Sequence, residues 1–162
     1  MFKKINWKNI FPAATVAALL FCVFAFLFIR QAEYSSTWLL YLGSICFFFS
    51  ITAFSILRKP ERRNDETTTT PIFEGLVTTF TGIIISCIIV FILLLILMPG
   101  FIESGPANHV LQGEPPASIA GKTNGLVFKV FFAATLLNFF GGSIASIIMA
   151  FYIKSKTLKI QG

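Results

Sequence analysis

The sequence has little charge, a single histidine and almost no ionisable residue inside its long apolar runs. Only 12% of its 162 residues are charged, whereas soluble domains average about 25%. Asp, Glu, Arg and His are absent from the middle of every run, and in membranes such residues usually mark proton relays, ion paths or cofactor sites. Their scarcity weighs against a proton-coupled transporter, a proton channel and a carboxylate-based enzyme. Because the one histidine is His109, haem held by paired histidines is excluded.

Cysteine is also scarce, and the positions of the three cysteines indicate no disulfide framework. Cys22, Cys46 and Cys87 all lie inside apolar runs, so no disulfide pattern can be assigned. We expect them to behave as small apolar residues. We expect no metal site and no other cofactor, because one histidine with scattered carboxylates is a poor ligand set.

What the sequence does contain is four apolar segments, each long enough to cross a bilayer. A hydrocarbon core of about 30 Å needs about 20 apolar residues in a helix, and runs of that length lie at about 11–29, 37–57, 76–98 and 126–153. Helix is expected because a spanning segment must satisfy its own backbone groups, and the runs lack the alternation of barrel strands. The sequence predicts an all-α membrane protein with one domain over 1–162 and longer loops at 58–75 and 99–125.

The basic residues predict the orientation of these helices. Short cytoplasmic connections carry an excess of Lys and Arg. Ten such residues lie before the first run, in the 58–75 loop and after the fourth run, against three on the other side. This count places both termini and the 58–75 loop in the cytoplasm. Basic residues that flank apolar runs favour lipid as the partner and argue against nucleic acid.

Small residues at helical spacing predict how the helices pack. Between membrane helices, close approach through small side chains replaces hydrophobic burial as the main source of stability. An antiparallel four-helix bundle is the simplest assembly, although the same faces would also serve a homo-oligomer or another membrane protein. The predicted packing residues are Ala14, Ala18, Gly43, Ser50, Gly82, Ser86, Asn138, Gly142 and Ser146.

A few polar residues allow a second interpretation. Asn138 is predicted to form a hydrogen bond to Ser86 or Thr79 in the third helix, although it would also suit a substrate headgroup or a quinone. Lys129 is expected at the lipid interface, either snorkelling or binding an anionic headgroup. Glu74 is expected to be an interfacial charge. The remaining predicted lipid-interface residues are Arg58, Lys59, Arg62 and Arg63.

Two short stretches resemble functional motifs but lack residues that those motifs need. The stretch 120–123 resembles the end of a phosphate-binding loop, but Pro116 stands where that motif needs glycine. Ser143 follows two glycines, but a serine nucleophile needs a base within reach, and neither His nor Lys lies at that depth. We therefore expect no catalytic residue and no enzyme.

The entry to the third run reads Ile-Phe-Glu-Gly-Leu-Val-Thr-Thr-Phe over 72–80. With a tight first hairpin, a polar inner loop and a long outer segment, this layout resembles small uncharacterised four-helix inner-membrane families of bacteria, of the domain-of-unknown-function type. The resemblance implies the four-helix fold and a multi-pass protein of the inner (plasma) membrane of a bacterium. Such families carry no assigned activity, so it transfers no functional residue.

Two roles are compatible with these features. The first is a non-enzymatic membrane subunit that assembles or stabilises a larger inner-membrane complex, as the small-residue faces and the polar 99–125 loop suggest. The second is a small oligomeric transporter or channel for a neutral or lipid-like solute, for which Thr78, Thr79, Ser86 and Asn138 would line a polar path.

Overall fold

The computed structural model describes residues 7–31, 33–57, 69–98 and 119–161, and this part of the chain is almost entirely helical. A 3-10 turn at Tyr34–Thr37 precedes the second helix, and a π-helical turn at Ala133–Leu137 joins the last two helices into one continuous rod, here called the fourth helix. The α-helices are α1 (Trp7–Gln31), α2 (Trp38–Leu57), α3 (Thr69–Leu97), α4 (Ile119–Phe132) and α5 (Asn138–Gln161).

Four stretches of these helices are long and apolar enough to cross a membrane, which confirms the four predicted spans. They cover Ile10–Gln31, Ser35–Leu57, Ile72–Leu97 and Gly125–Tyr152. By length and composition the chain is a helical, multi-pass membrane protein. Its outward side chains are large and apolar, as expected where the surroundings are lipid tails.

Two helices begin inside segments that the sequence predicts as loops. α3 starts at Thr69, inside the predicted 58–75 loop, and α4 starts at Ile119, inside the predicted 99–125 loop. Pro71 does not delay α3, because the first N–H groups of a helix have no partner within the helix and proline is accepted there. The apolar runs alone underestimate these helices because a helix can continue into the polar headgroup region.

The helices form a ring in which α1 and the fourth helix each pack against both α2 and α3. α2 and α3 touch each other little although they are consecutive in the chain, so they lie across the ring from each other. The short connection between Gln31 and Trp38 makes α1 and α2 adjacent. α3 then packs on the other side of α1, and the fourth helix closes the ring.

The interior of the ring differs between its two ends. One end, formed around the C-terminal half of α3, is closed by aliphatic and aromatic side chains, here called the apolar end cluster. The other end, around the N-terminal half of α3, holds most of the buried polar residues. The members of the apolar end cluster are Phe28, Leu40, Val90, Leu94, Leu126 and Val130.

Candidate functional site

Six buried polar side chains on α3 and α5 are the groups in this fold best suited to bind a ligand or take part in chemistry. We refer to them as the buried polar set. Four lie on α3 and two on α5, and none is more than 5% exposed. Polar groups are costly in the low-dielectric interior of a membrane protein unless they are hydrogen-bonded. The members are Glu74, Thr78, Thr79, Ser86, Asn138 and Ser146.

Two glycines and two hydroxyl residues interlock α3 with α5. A Cβ added at Gly75 would overlap the side chain of Ser146, and one added at Gly142 would overlap that of Thr79. The Thr79 hydroxyl donates to the Gly75 carbonyl at 2.9 Å, and the Ser146 hydroxyl donates to the Gly142 carbonyl at 2.6 Å. Each helix therefore carries glycine and a hydroxyl residue four positions apart, and each glycine accommodates the other helix's hydroxyl side chain. We call these four residues the glycine–hydroxyl clasp.

Asn138 lies immediately after the π-helical turn, and its hydrogen bonds differ from the prediction. Its backbone N–H donates to the carbonyls of Ala133 and Thr135, and its side-chain amide donates to Ala134 O at 3.3 Å. In an ordinary α-helix the Asn138 N–H would donate to Ala134 O. Here the Asn138 side-chain amide donates to that oxygen instead. The predicted bond from Asn138 to Ser86 or Thr79 is wrong, because the π-helical turn gives the amide a partner on its own helix.

Asn138 Oδ1 and Ser86 Oγ, both in the buried polar set, have no hydrogen-bond partner among the described residues. Both residues are 0% exposed. On α1, the thiol of Cys22 approaches the backbone carbonyl of Ser86 at 3.9 Å, so Ser86 lies where α3 meets α1. Buried polar atoms in native proteins usually have a partner, so these two oxygens are suited to receive a ligand.

Glu74 was predicted to be an interfacial charge just before the third helix, and the structure places it inside that helix instead. It lies in the second turn of α3, inside the span Ile72–Leu97, and is 5% exposed. The helix starts at Thr69, so Glu74 shares the helical face of Thr78 one turn later. The Thr78 hydroxyl donates to the Glu74 carbonyl at 2.8 Å. A carboxyl side chain is therefore buried within the bundle.

The predicted packing residues occupy the following places. Ala14 and Ala18 are buried on α1, and Gly43 lies against Phe21 and Phe24. Gly82 contacts the ring of Phe47 and the carbonyl of Ala14. Ser50 is half-buried and donates to Cys46 O on its own helix at 2.8 Å. Ser86, Asn138, Gly142 and Ser146 belong to the α3–α5 region described above.

The predicted lipid-interface residues are only partly described. Lys129 is half-buried, and its Nζ donates to Thr37 Oγ1 at 3.0 Å, which links α4 to the start of α2. The sequence offered no indication of this contact, since 92 positions separate the two residues. Arg58, Lys59, Arg62 and Arg63 lie outside the described residues, as does His109.

Within the described ranges, no group of three His, Cys, Asp or Glu side chains is arranged to hold a metal ion. Ser143 is half-buried, and its Oγ has no hydrogen-bond partner in the part of the chain that the structure describes. The buried polar set is thus the candidate functional site, and it offers hydrogen-bonding oxygens. Comparison with family models, with curated proteins and with solved structures finds no match to this chain.

Proposed function

We propose that this chain is a non-enzymatic integral membrane subunit that helps assemble or stabilise a larger complex in a bacterial inner membrane. The observation that supports this role is the glycine–hydroxyl clasp. Because side chains fill the space above Gly75 and Gly142, α3 and α5 are held in one register. Packed interiors resist continuous deformation, so a bundle held in this way suits a scaffold that presents a constant surface to partners.

The proposal includes an antiparallel bundle with both termini in the cytoplasm. The pairs Gly75–Ser146 and Thr79–Gly142 run in opposite directions along α3 and α5, which supports this arrangement. The Lys and Arg excess at the termini and in the 58–75 loop supports the orientation. The lipid-facing roles of Arg58, Lys59, Arg62 and Arg63 rest on the same charge pattern.

Reporter fusions test this orientation. A fluorescent protein that folds only in the cytoplasm should be active when fused after Gly162 and inactive when inserted near Gly113. A phosphatase that is active only outside the cytoplasm should give the opposite result at both positions. An active phosphatase at the C terminus would contradict the proposed orientation.

The subunit role itself is tested by isolating the protein from its native membrane. We expect a tagged chain, expressed at its native level and solubilised in mild detergent, to purify with at least one other membrane protein in constant ratio. The matched control is an unrelated tagged membrane protein prepared in the same way. Recovery of this chain alone, as a monomer, would overturn the proposal.

A second role is favoured by one specific observation. Thr78, Thr79, Ser86 and Asn138 are all fully buried inside the bundle, as expected of a polar path for a solute. A small oligomeric transporter or channel for a neutral or lipid-like solute is therefore the alternative. A constant-ratio partner in the purification supports the subunit role, whereas a homo-oligomer supports the alternative.

A further inference from the structure

The two halves of the fourth helix are held differently by the rest of the ring. α5 packs closely against α2 and α3, and the glycine–hydroxyl clasp fixes its register on α3. α4 makes few close backbone contacts with α2 or α3, and it meets the ring through Leu126 and Val130 of the apolar end cluster. The orientation of α5 is therefore fixed by its backbone, whereas that of α4 depends on side chains.

Apolar content does not decide which side of α4 faces the ring. Lipid tails are as apolar as the interior of a membrane bundle, so burial of one apolar side chain in place of another gains little. Val127 and Phe131 each lie one position beyond a buried residue, and they already pack, half-buried, against the core. Polar contacts must therefore set the orientation of α4.

One such contact joins α4 to α2, and another lies at the π-helical turn. Lys129 Nζ donates to Thr37 Oγ1 at 3.0 Å, which directs Lys129 toward the start of α2. At the turn, the Asn138 amide donates to Ala134 O at 3.3 Å while the Asn138 N–H bypasses that oxygen. The turn becomes a regular α-helix when the backbone N–H replaces the side chain at Ala134 O.

This change would rotate α4 by about 100° relative to α5, because one more residue would enter the regular helix. Val127 and Phe131 would then face the interior. Lys129 would leave Thr37 and point toward lipid, which is costly for a cation. The Lys129–Thr37 hydrogen bond and the charge of Lys129 thus both favour the π-helical form.

We propose that the π-helical turn is a rotary joint with two positions. In the position that the structure shows, Lys129 holds the turn open through Thr37. Loss of that contact closes the turn to an α-helix, and α4 rotates while the clasp keeps α5 in place. Asn138 Oδ1 and Ser86 Oγ, buried without a partner among the described residues, raise the free energy of the open position. This inference goes beyond both proposed roles, since the lipid-facing surface of α4 changes while that of α5 stays constant.

The oxygen accessibility of a spin label on α4 tests the joint in bilayer nanodiscs. The three native cysteines are replaced by alanine, and a nitroxide is attached through Phe128→Cys, where the native side chain is 68% exposed. Lys129→Met should turn this label from lipid toward a neighbouring helix and lower its collision rate with oxygen by roughly half. Thr37→Val, which removes the acceptor, should act in the same direction. Lys129→Arg, which keeps the charge and a donor, should leave the rate unchanged.

A label attached through Phe140→Cys on α5, where the native side chain is 59% exposed, is the matched control. Its collision rate should stay constant in every variant, which also reports that the bundle is folded. Deletion of Leu136 removes the extra residue of the π-helical turn and keeps both halves in their present orientation, so Lys129→Met should then have no effect on the α4 label.

An unchanged collision rate of the α4 label in both Lys129→Met and Thr37→Val would overturn the proposal. So would an equal change at the α5 label, because the whole fourth helix would then have moved. A loss at the α4 label that persists after deletion of Leu136 would also overturn it, since the rotation would not arise from the π-helical turn.

Discussion

Gly142→Ala should destabilise the bundle by about 3 kcal/mol, near the upper part of the usual range for overpacking. A Cβ at this position would lie 2.9 Å from Thr79 Cβ and still closer to its Oγ1 and Cγ2. The Thr79 side chain has little freedom to withdraw, because its hydroxyl is bonded to Gly75 O. α3 and α5 must then separate. The measurement is the free energy of unfolding in mixed detergent micelles.

The adjacent glycine supplies the control. A Cβ at Gly141 would meet Phe48 Cβ at 3.8 Å, an ordinary contact, and alanine is the better helix former by about 1 kcal/mol. Gly141→Ala should therefore leave stability unchanged or raise it slightly. Equal losses for the two variants would show that the effect arises within the helix backbone and that the glycine–hydroxyl clasp does not hold α3 to α5.

The clasp also predicts a rescue. Gly75→Ala should be destabilising because its Cβ would lie 2.6 Å from Ser146 Cβ. Combining it with Ser146→Gly removes the overlapping group and moves the side chain from one helix to the other. The double variant should recover most of the stability lost in Gly75→Ala, which is a coupling that independent sites do not show.

Phe47→Ala should cost about 3 kcal/mol of unfolding free energy, the lower end of the range for buried aromatic truncations. Phe47 is 0% exposed and its ring lies over Gly82 between α2 and α3. In lipid the hydrophobic part of this loss is small, but the lost dispersion contacts and the cavity remain. The same unfolding measurement applies, and no loss would contradict the described core.

Phe49→Ala is the control, two residues further along α2, where the ring is 61% exposed. It should change stability by less than about 0.5 kcal/mol, as for surface positions elsewhere. Adding Gly82→Ala to Phe47→Ala places a methyl group where the ring tip had been. The double variant should regain about 1 kcal/mol relative to Phe47→Ala alone, because alanine is the better helix former and its methyl group refills part of the cavity.

The four helices could be predicted from sequence because a membrane span depends mainly on length and apolar content. The start of α3 could not, since polar residues end an apolar run without ending a helix. Because the start of α3 was placed too late, the burial of Glu74 was not predicted. Its burial follows from its position in the second turn of α3, on the same face as Thr78. Its spacing of four residues from Thr78 was the available signal.

The hydrogen-bond partner of Asn138 could not be predicted from the sequence, for a different reason. Its depth in the membrane was predictable, but its partner depends on the π-helical turn at Ala133–Leu137, which frees Ala134 O for the side chain. The α3–α5 pairings depend on register, which spacing within one helix does not fix. Small residues on both helices indicated that the helices could approach closely. The pairing of Gly75 with Ser146 and of Gly142 with Thr79 is set by the register between the helices.

The π-helical turn changes the helical phase of every residue that follows it in the fourth helix. It holds one residue more than an α-helical turn, so every side chain after it is rotated by about 100° relative to an uninterrupted helix. The stripe that buries Leu126 and Val130 on α4 and the stripe that buries Asn138, Gly142 and Ser146 on α5 therefore follow two different phases of the same period. A single helical wheel drawn over 126–153 would align one stripe and misalign the other. In this span, periodicity has to be read separately on each side of residue 137.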